Sequence, residues 1–176
     1  MTEIQEKANT IPQELNIAEI RKYTKEAAPL IHCITNPISI HDCANIILAA
    51  GARPIMAEHP AEVAEITAVA SALMLNLGNI TDARIESIQR ALKEANRRKI
   101  PVLLDLVGVT CSSLRREFAR KLLTDGRFAV IKGNISEILA AADLPFHGTG
   151  IDAGSQDAIS QANEASYCTT AKKLAE

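Results

Sequence analysis

Short apolar runs recur five times along this chain, each followed by a stretch whose apolar residues repeat at helical spacing. The runs are Pro29–Asn36, Arg53–Glu58, Ala72–Gly78, Pro101–Val109 and Phe128–Gly133. Continuous apolar runs of this length suit strands that are covered on both faces. Strands alternating with helices join by right-handed crossovers and lie parallel. The expected fold class is therefore α/β, with a mainly parallel central sheet and helices on both faces.

The intervening stretches carry helix signals. Asn36 can accept from free N–H groups at a helix start, and Pro37 has no N–H to leave orphaned. Cys43, Ala44, Ile47 and Leu48 then give that helix an apolar stripe, which Gly51 ends. Pro60 opens the next helix, with Val63, Ile66, Val69 and Ala70 expected inward. Thr81 can cap a long helix to about Arg98, with Ile85, Ile88, Leu92 and Ala95 in register. Ser112 to Leu123 should pack Leu114, Phe118 and Leu122, and Asn134 to Ala142 follows the last strand. Ile17 to Glu26 reads as a leading helix with Ile17, Ile20 and Tyr23 on one face, after a loosely held lead-in over Met1 to Glu14.

From Asp143 the rhythm loosens around Gly148, Gly150 and Gly154, and Ser155 to Glu176 reads as helical with few large apolar residues. Residues 1–20 are expected to be an N-terminal extension. Residues 21–176 are expected to be the N-terminal portion of a single α/β domain, since the alternation calls for another strand where the chain stops.

Composition narrows the function classes. Hydrophobic residues make up 47% of the 176, enough for a core without disulfides. Cys33, Cys43, Cys111 and Cys168 show no Cys-x-x-Cys spacing and read as reduced packing thiols. Aromatics are only 3% and Trp is absent, which removes the stacking platform of a nucleic-acid binder. The net charge of -2 is spread over both signs, so no polyanion partner is implied. No run approaches the ~20 apolar residues of a membrane span. Met1 to Ile20 is polar, so a soluble cytoplasmic protein without membrane contact is expected.

The strand ends collect polar groups: Thr35 and Asn36, Met56 and Glu58, Asn76 and Gly78, Asp105 and Gly108, and Lys132 leading into Glu137. In a parallel sheet these ends line one edge, where open α/β sheets bind ligands. Asp105 and Glu137 could hold Mg²⁺ through one or two direct bonds and several waters, a mode suited to a cation that bridges phosphates. Lys132 would offer charge to a phosphate, and the helix start at Asn134 would offer N–H donors. Each has a plainer reading: Asn134-Ile-Ser-Glu137 has capping-box spacing, and Asp105 can orient the turn at Gly108. No Walker or Gly-x-Gly-x-x-Gly motif follows any strand, and the four histidines lack ligand spacing.

Taken together, Pro29-Leu-Ile-His-Cys-Ile-Thr-Asn36, Gly51-Ala-Arg-Pro-Ile-Met-Ala-Glu58, Leu73-Met-Leu-Asn-Leu-Gly78, Leu104-Asp-Leu-Val-Gly-Val109 and Val130-Ile-Lys-Gly-Asn-Ile-Ser-Glu137 resemble the hydroxyethylthiazole kinases of thiamine salvage. The resemblance runs from about residue 20 to the end of the chain. It implies a ribokinase-like fold and ATP-dependent phosphorylation of the hydroxyethyl group of 4-methyl-5-(2-hydroxyethyl)thiazole. It implies thiazole binding by Met56 with Asn36 nearby, a Mg²⁺–phosphate site at Asp105 and Glu137, ATP contact by Lys132, and a homotrimer.

The sequence departs from the family pattern in several places. Leu106 follows Asp105 where proline is usual, Thr110-Cys111-Ser112 replaces a stretch richer in glycine and alanine, and Lys132 stands for arginine. A lysine keeps the charge but loses the planar two-point phosphate contact. The family's Gly-Thr-Gly-Cys segment, which carries the residue nearest the substrate hydroxyl, has no counterpart. Gly148-Thr-Gly-Ile151 follows a loop rather than a strand. The catalytic residue is thus unassigned, and the chain by itself is expected to be inactive. Two alternatives stay open: a catalytically silent binding or oligomerisation module, and a kinase for another small alcohol such as hydroxymethylpyrimidine or a sugar.

Overall fold

The computed structural model describes residues 16–175; the expected lead-in over Met1 to Glu14 lies outside the described residues. Five strands form one sheet in the order β2-β1-β3-β4-β5: β1 Leu30–Ile34, β2 Arg53–Ile55, β3 Ala72–Asn76, β4 Val102–Asp105 and β5 Val130–Lys132. Every neighbouring pair is parallel. The helices are α1 Ile17–Ala27, α2 Ile40–Ala50, α3 Val63–Val69, α4 Asp82–Arg98, α5 Ser113–Asp125, α6 Ile135–Ala141 and α7 Glu164–Ala175. The α/β class expected from the alternation is the one observed.

The strand order has a consequence for function. The chain steps from β1 out to β2, then returns across β1 to lay β3 on its other side. Connections leaving β1 and β3 therefore diverge, and it is at the carboxyl ends of such a switch point that open α/β sheets bind ligands. The register aligns those ends, pairing Ile34 with Leu75, Asn76 with Asp105, and Asp105 with Lys132.

The core is aliphatic, as the composition requires. Ile34, Leu73, Leu75, Leu77, Val102, Leu104 and Leu106 of the sheet layer are buried with Ile88 and Leu92 of α4 and Phe118 and Leu122 of α5. Burying one such side chain contributes about 1.5–3 kcal/mol. Cys33 belongs here too, and its burial pushes the thiol up to about 12, so it packs as an uncharged group. All four cysteines are free.

Three inward assignments differ. Val69 is 70% exposed. Helix α3 starts at Val63 rather than Pro60, so Val63 and Thr67 face the sheet and Val69 lies about 120° round from Val63. Leu114 is 55% exposed, because the first turn of α5 lies over the polar turn at Gly108, which Arg115 covers. Neither α1 nor α2 buries a residue: Ile17, Ile20, Tyr23, Ile46 and Leu48 are all exposed, although Ile17, Ile20 and Tyr23 do share a face.

Candidate functional site

The crevice is built from strand ends locked to one another by short polar contacts. Asn36 ends β1 by capping the 3-10 turn Pro37–Ser39, its Oδ1 accepting from the Ile38 N–H at 3.0 Å. Across the crevice, Asn76 Oδ1 accepts from the Gly78 N–H at 2.8 Å and Asn76 Nδ2 donates to Asp105 Oδ2 at 3.2 Å. A Cβ on Gly78 would lie 2.8 Å from Asn76 Oδ1, 2.9 Å from Asn36 Nδ2 and 3.2 Å from a Val107 methyl. No other residue fits there without displacing both asparagines, so the glycine is where the β1 and β3 ends meet.

Asp105 is buried at the end of β4 and is fully engaged. Its Oδ1 accepts from the Val107 N–H at 3.1 Å, and Lys132 Nζ donates to both oxygens at 3.2–3.3 Å. The Lys132 side chain is 62% exposed, so this pair adds little stability, typically about 0–1 kcal/mol.

Glu137 is tied to the same turn from the other side. Oε1 accepts from the Gly108 N–H at 3.0 Å, Oε2 from the Asn134 N–H at 2.8 Å, and Asn134 Oδ1 accepts from the Glu137 N–H at 3.0 Å. The expected capping box on α6 is thus present. Its acid does more than cap: it also fixes Gly108, whose φ of +76° is open to glycine at low cost.

Met56 follows β2, half-buried, in a connection held from behind. His32 Nε2 donates to the Ala57 carbonyl at 2.8 Å, and the Ser87 hydroxyl of α4 donates to the Glu58 carbonyl at 2.7 Å. Arg84, one turn earlier, bonds the Glu58 carboxylate. Because a carbonyl only accepts, Nε2 of His32 carries the proton, leaving Nδ1 as an acceptor 2.9 Å from Thr67 Oγ1, whose single proton also faces the Val63 carbonyl at 2.7 Å.

Burial lowers the pKa of His32, outweighing the Ala57 carbonyl bond and the charge of Glu62 that favour the cation. A lowered imidazole pKa means the unfolded chain takes up this proton first. Stability is then complete above pH ~6.5 and falls as pH drops below it, by up to about 1.4 kcal/mol per pH unit. Urea unfolding at pH 7.5, 6.0 and 5.0 should show this loss, with a shallower dependence in His32→Gln.

Beside the site, the loop between α6 and α7 is pinned by Asp157, which accepts from the Ser136 hydroxyl at 2.5 Å and from the His147 N–H and ring. Burial by itself would raise the Asp157 pKa, but these hydrogen bonds hold it below the usual carboxylate range.

Among the described residues, no three His, Cys, Asp or Glu side chains converge on a point that would hold a metal ion. The two acids at the edge are Asp105 and Glu137, and both Glu137 oxygens already accept backbone N–H groups. This donor set suits a hydrated cation arriving with phosphates rather than a resident ion.

Asn36, Asp105, Lys132 and Glu137 therefore sit along one continuous edge, with Met56 on the flank beyond β1. Arg84 and Arg115 were not singled out from the sequence. Arg115 donates to the carbonyls of Leu77 and Gly78, and Arg84 to that of Asn79, so two helices hold the connection after β3. A signal for Arg84 did exist: it lies four residues before Ile88 and eight before Leu92, on the inward stripe of α4.

Comparison with known proteins places this edge in context. The model of the hydroxyethylthiazole kinase family matches residues 21–175. "Hydroxyethylthiazole kinase 2" of Clostridium botulinum (strain 657 / Type Ba4) is 54% identical over 145 residues, 82% of this chain and 55% of that protein. The hydroxyethylthiazole kinase of Alkaliphilus metalliredigens is 44% identical over 142 residues, 81% of this chain and 51% of that protein. The solved structure of the hydroxyethylthiazole kinase protein from Pyrococcus horikoshii OT3 superposes with a TM-score of 0.69 at 35% identity, covering 72% of this chain and 50% of that one. The chain spans about half the length of the curated relatives it matches.

Proposed function

The chain belongs to the hydroxyethylthiazole kinase family, and on that premise we propose that its crevice binds 4-methyl-5-(2-hydroxyethyl)thiazole for ATP-dependent phosphorylation in thiamine salvage. The observation that carries this reading is the polar row along the sheet edge, hydrogen-bonded from Gly78 through Asn76 and Asp105 to Lys132, with the Asn36 amide close beside Gly78. Met56 supplies a soft apolar wall for the thiazole ring, of the kind thioethers make against aromatics. Asn36 forms part of the opposite wall, one strand nearer the phosphate end.

Lys132 is the ATP-contacting cation. With nucleotide on Lys132, Asp105 would be the carboxylate available to hold Mg²⁺ through its water shell. Glu137 keeps the turn at Gly108 and the start of α6 in place. The cation, when bound, neutralises charge on the phosphates; phosphoryl transfer rests largely on such positioning and electrostatics.

Calorimetric titration of the purified chain with hydroxyethylthiazole tests the substrate. We expect saturable one-site binding that Met56→Ala weakens about tenfold, a loss of about 1.4 kcal/mol. Absence of heat, or an unaffected Met56→Ala, would remove the thiazole from the reading.

The working assembly is proposed to be a homotrimer, in the cytoplasm. In support, α1 and α2 present Ile17, Ile20, Tyr23, Ile46 and Leu48 outward, an apolar surface that a second copy would cover. Among the described residues no helix is long and apolar enough to cross a membrane. Sedimentation equilibrium should give three times the 18.9 kDa chain mass, and Ile46→Glu should shift it to the monomer.

A further inference from the structure

Among the described residues, Arg84 is the one guanidinium that hydrogen-bonds the connections after three different strands. Nη2 donates to the Thr35 carbonyl at 2.6 Å, Nη1 to Glu58 Oε2 at 2.5 Å and Nε to the Asn79 carbonyl at 2.8 Å. Its side chain is only 5% exposed, whereas that of Glu58 is 45% exposed. Each partner adjoins a wall of the crevice: Thr35 precedes Asn36, Glu58 lies two residues after Met56, and Asn79 follows Gly78.

A guanidinium is rigid and planar, with donors pointing in fixed directions. Three acceptors bound to it cannot shift independently. Beyond the β1–β2 pairing and the His32–Ala57 bond, one side chain anchored on α4 beside Ile88 thus ties the ends of β1, β2 and β3 to one another. Ser87 of α4 holds the Glu58 carbonyl and His32 of β1 holds the Ala57 carbonyl, but neither reaches the connection after β3. The Mg²⁺–phosphate half of the edge, on β4 and β5, makes no hydrogen bond with Arg84 among the described residues.

We propose that Arg84 is a positioning and specificity-determining residue, which sets the width of the crevice for a small heteroaromatic alcohol without touching it. This rests on the thiazole reading for the identity of the ligand, but not for the mechanics. A purely structural role would loosen the whole edge; a positioning role loosens one half of it.

The test compares wild type with Arg84→Lys, which keeps the charge but loses the fork, and Arg84→Met, which keeps the packing stem alone. Two dissociation constants are read, for hydroxyethylthiazole and for Mg·ATP, together with amide exchange at Ile38, Gly78 and Leu106. The Ile38 and Gly78 amides are held by Asn36 and Asn76, and the Leu106 amide by the Lys132 carbonyl at 2.8 Å. In Arg84→Lys we expect thiazole affinity to fall at least tenfold and Mg·ATP affinity to stay within twofold. Exchange should quicken at Ile38 and Gly78 but not at Leu106.

Unchanged thiazole affinity in a folded Arg84→Lys would overturn the proposal. So would parallel loss of both ligands with faster exchange at Leu106. If the wild-type chain fails to bind the thiazole, the substrate reading fails separately, and exchange decides: selective quickening at Ile38 and Gly78 supports the proposal, uniform or absent change overturns it.

Discussion

Asp105→Asn is expected to weaken Mg·ATP binding at least tenfold, while leaving the fold standing. The substitution keeps a carbonyl oxygen for the Val107 N–H, so the turn at the end of β4 survives. It removes the negative charge that pairs with Lys132 and, in the proposed site, attracts the hydrated cation. It also places an amide opposite the Asn76 amide, so one of two donors there must turn away. The stability cost of that mismatch should be about 1–3 kcal/mol. Titration of Mn²⁺ as a Mg²⁺ substitute, followed by water-proton relaxation with ATP present, reads the binding loss; melting reads the fold. If the variant binds Mn·ATP as tightly as wild type, Asp105 is a turn-forming residue and nothing more.

Glu137→Ala should produce the largest stability loss of any single change in the site. Both oxygens are buried and each accepts one backbone N–H, on Gly108 and on Asn134. Truncation strands the buried Gly108 donor and the partly buried Asn134 donor, and it halves the capping box of α6. Stranded donors cost about 1–3 kcal/mol each and a lost cap about 1, partly overlapping. We expect a net loss of about 2–4 kcal/mol and, for a chain of this size, a melting point lower by about 5–15 °C. Glu137→Gln retains one acceptor and should recover roughly half. A melting point within about 2 °C of wild type in Glu137→Ala would show that the Gly108 turn is held by other means.

These two residues show how much was legible in the sequence. Asp105 stood out because an apolar run ended in a carboxylate, and topology alone brings such ends to one edge. Glu137 stood out through its capping-box spacing, and both its roles turn on the same pair of oxygens. Spacing along a helix reveals a local bond such as Glu137 to Asn134, but not a bond to Gly108 across the sheet. The strand order was not legible either. The alternation predicts parallel crossovers but not that β3 returns past β2 to lie beside β1, and that return makes the crevice.

Arg84 was missed for a related reason. A charged residue on a helix is ordinarily read as part of its solvated face, and its position on the inward stripe registers only once the sheet is in place. The outward face of α1 and α2 is the converse case. Periodicity shows that Ile17, Ile20 and Tyr23 share a face; it cannot distinguish a core beneath them from another subunit above. In the described chain all three are exposed.

In the proposed site the thiazole alcohol and the metal–nucleotide lie side by side, with the hydroxyl nearer the phosphates than the ring methyl. Proton relaxation of hydroxyethylthiazole by Mn·ATP in the presence of the chain measures this directly. We expect faster relaxation of the hydroxyethyl protons than of the 4-methyl protons, an enhancement that needs the protein and disappears in Asp105→Asn. Equal relaxation of both groups, or an enhancement that survives Asp105→Asn, would contradict it.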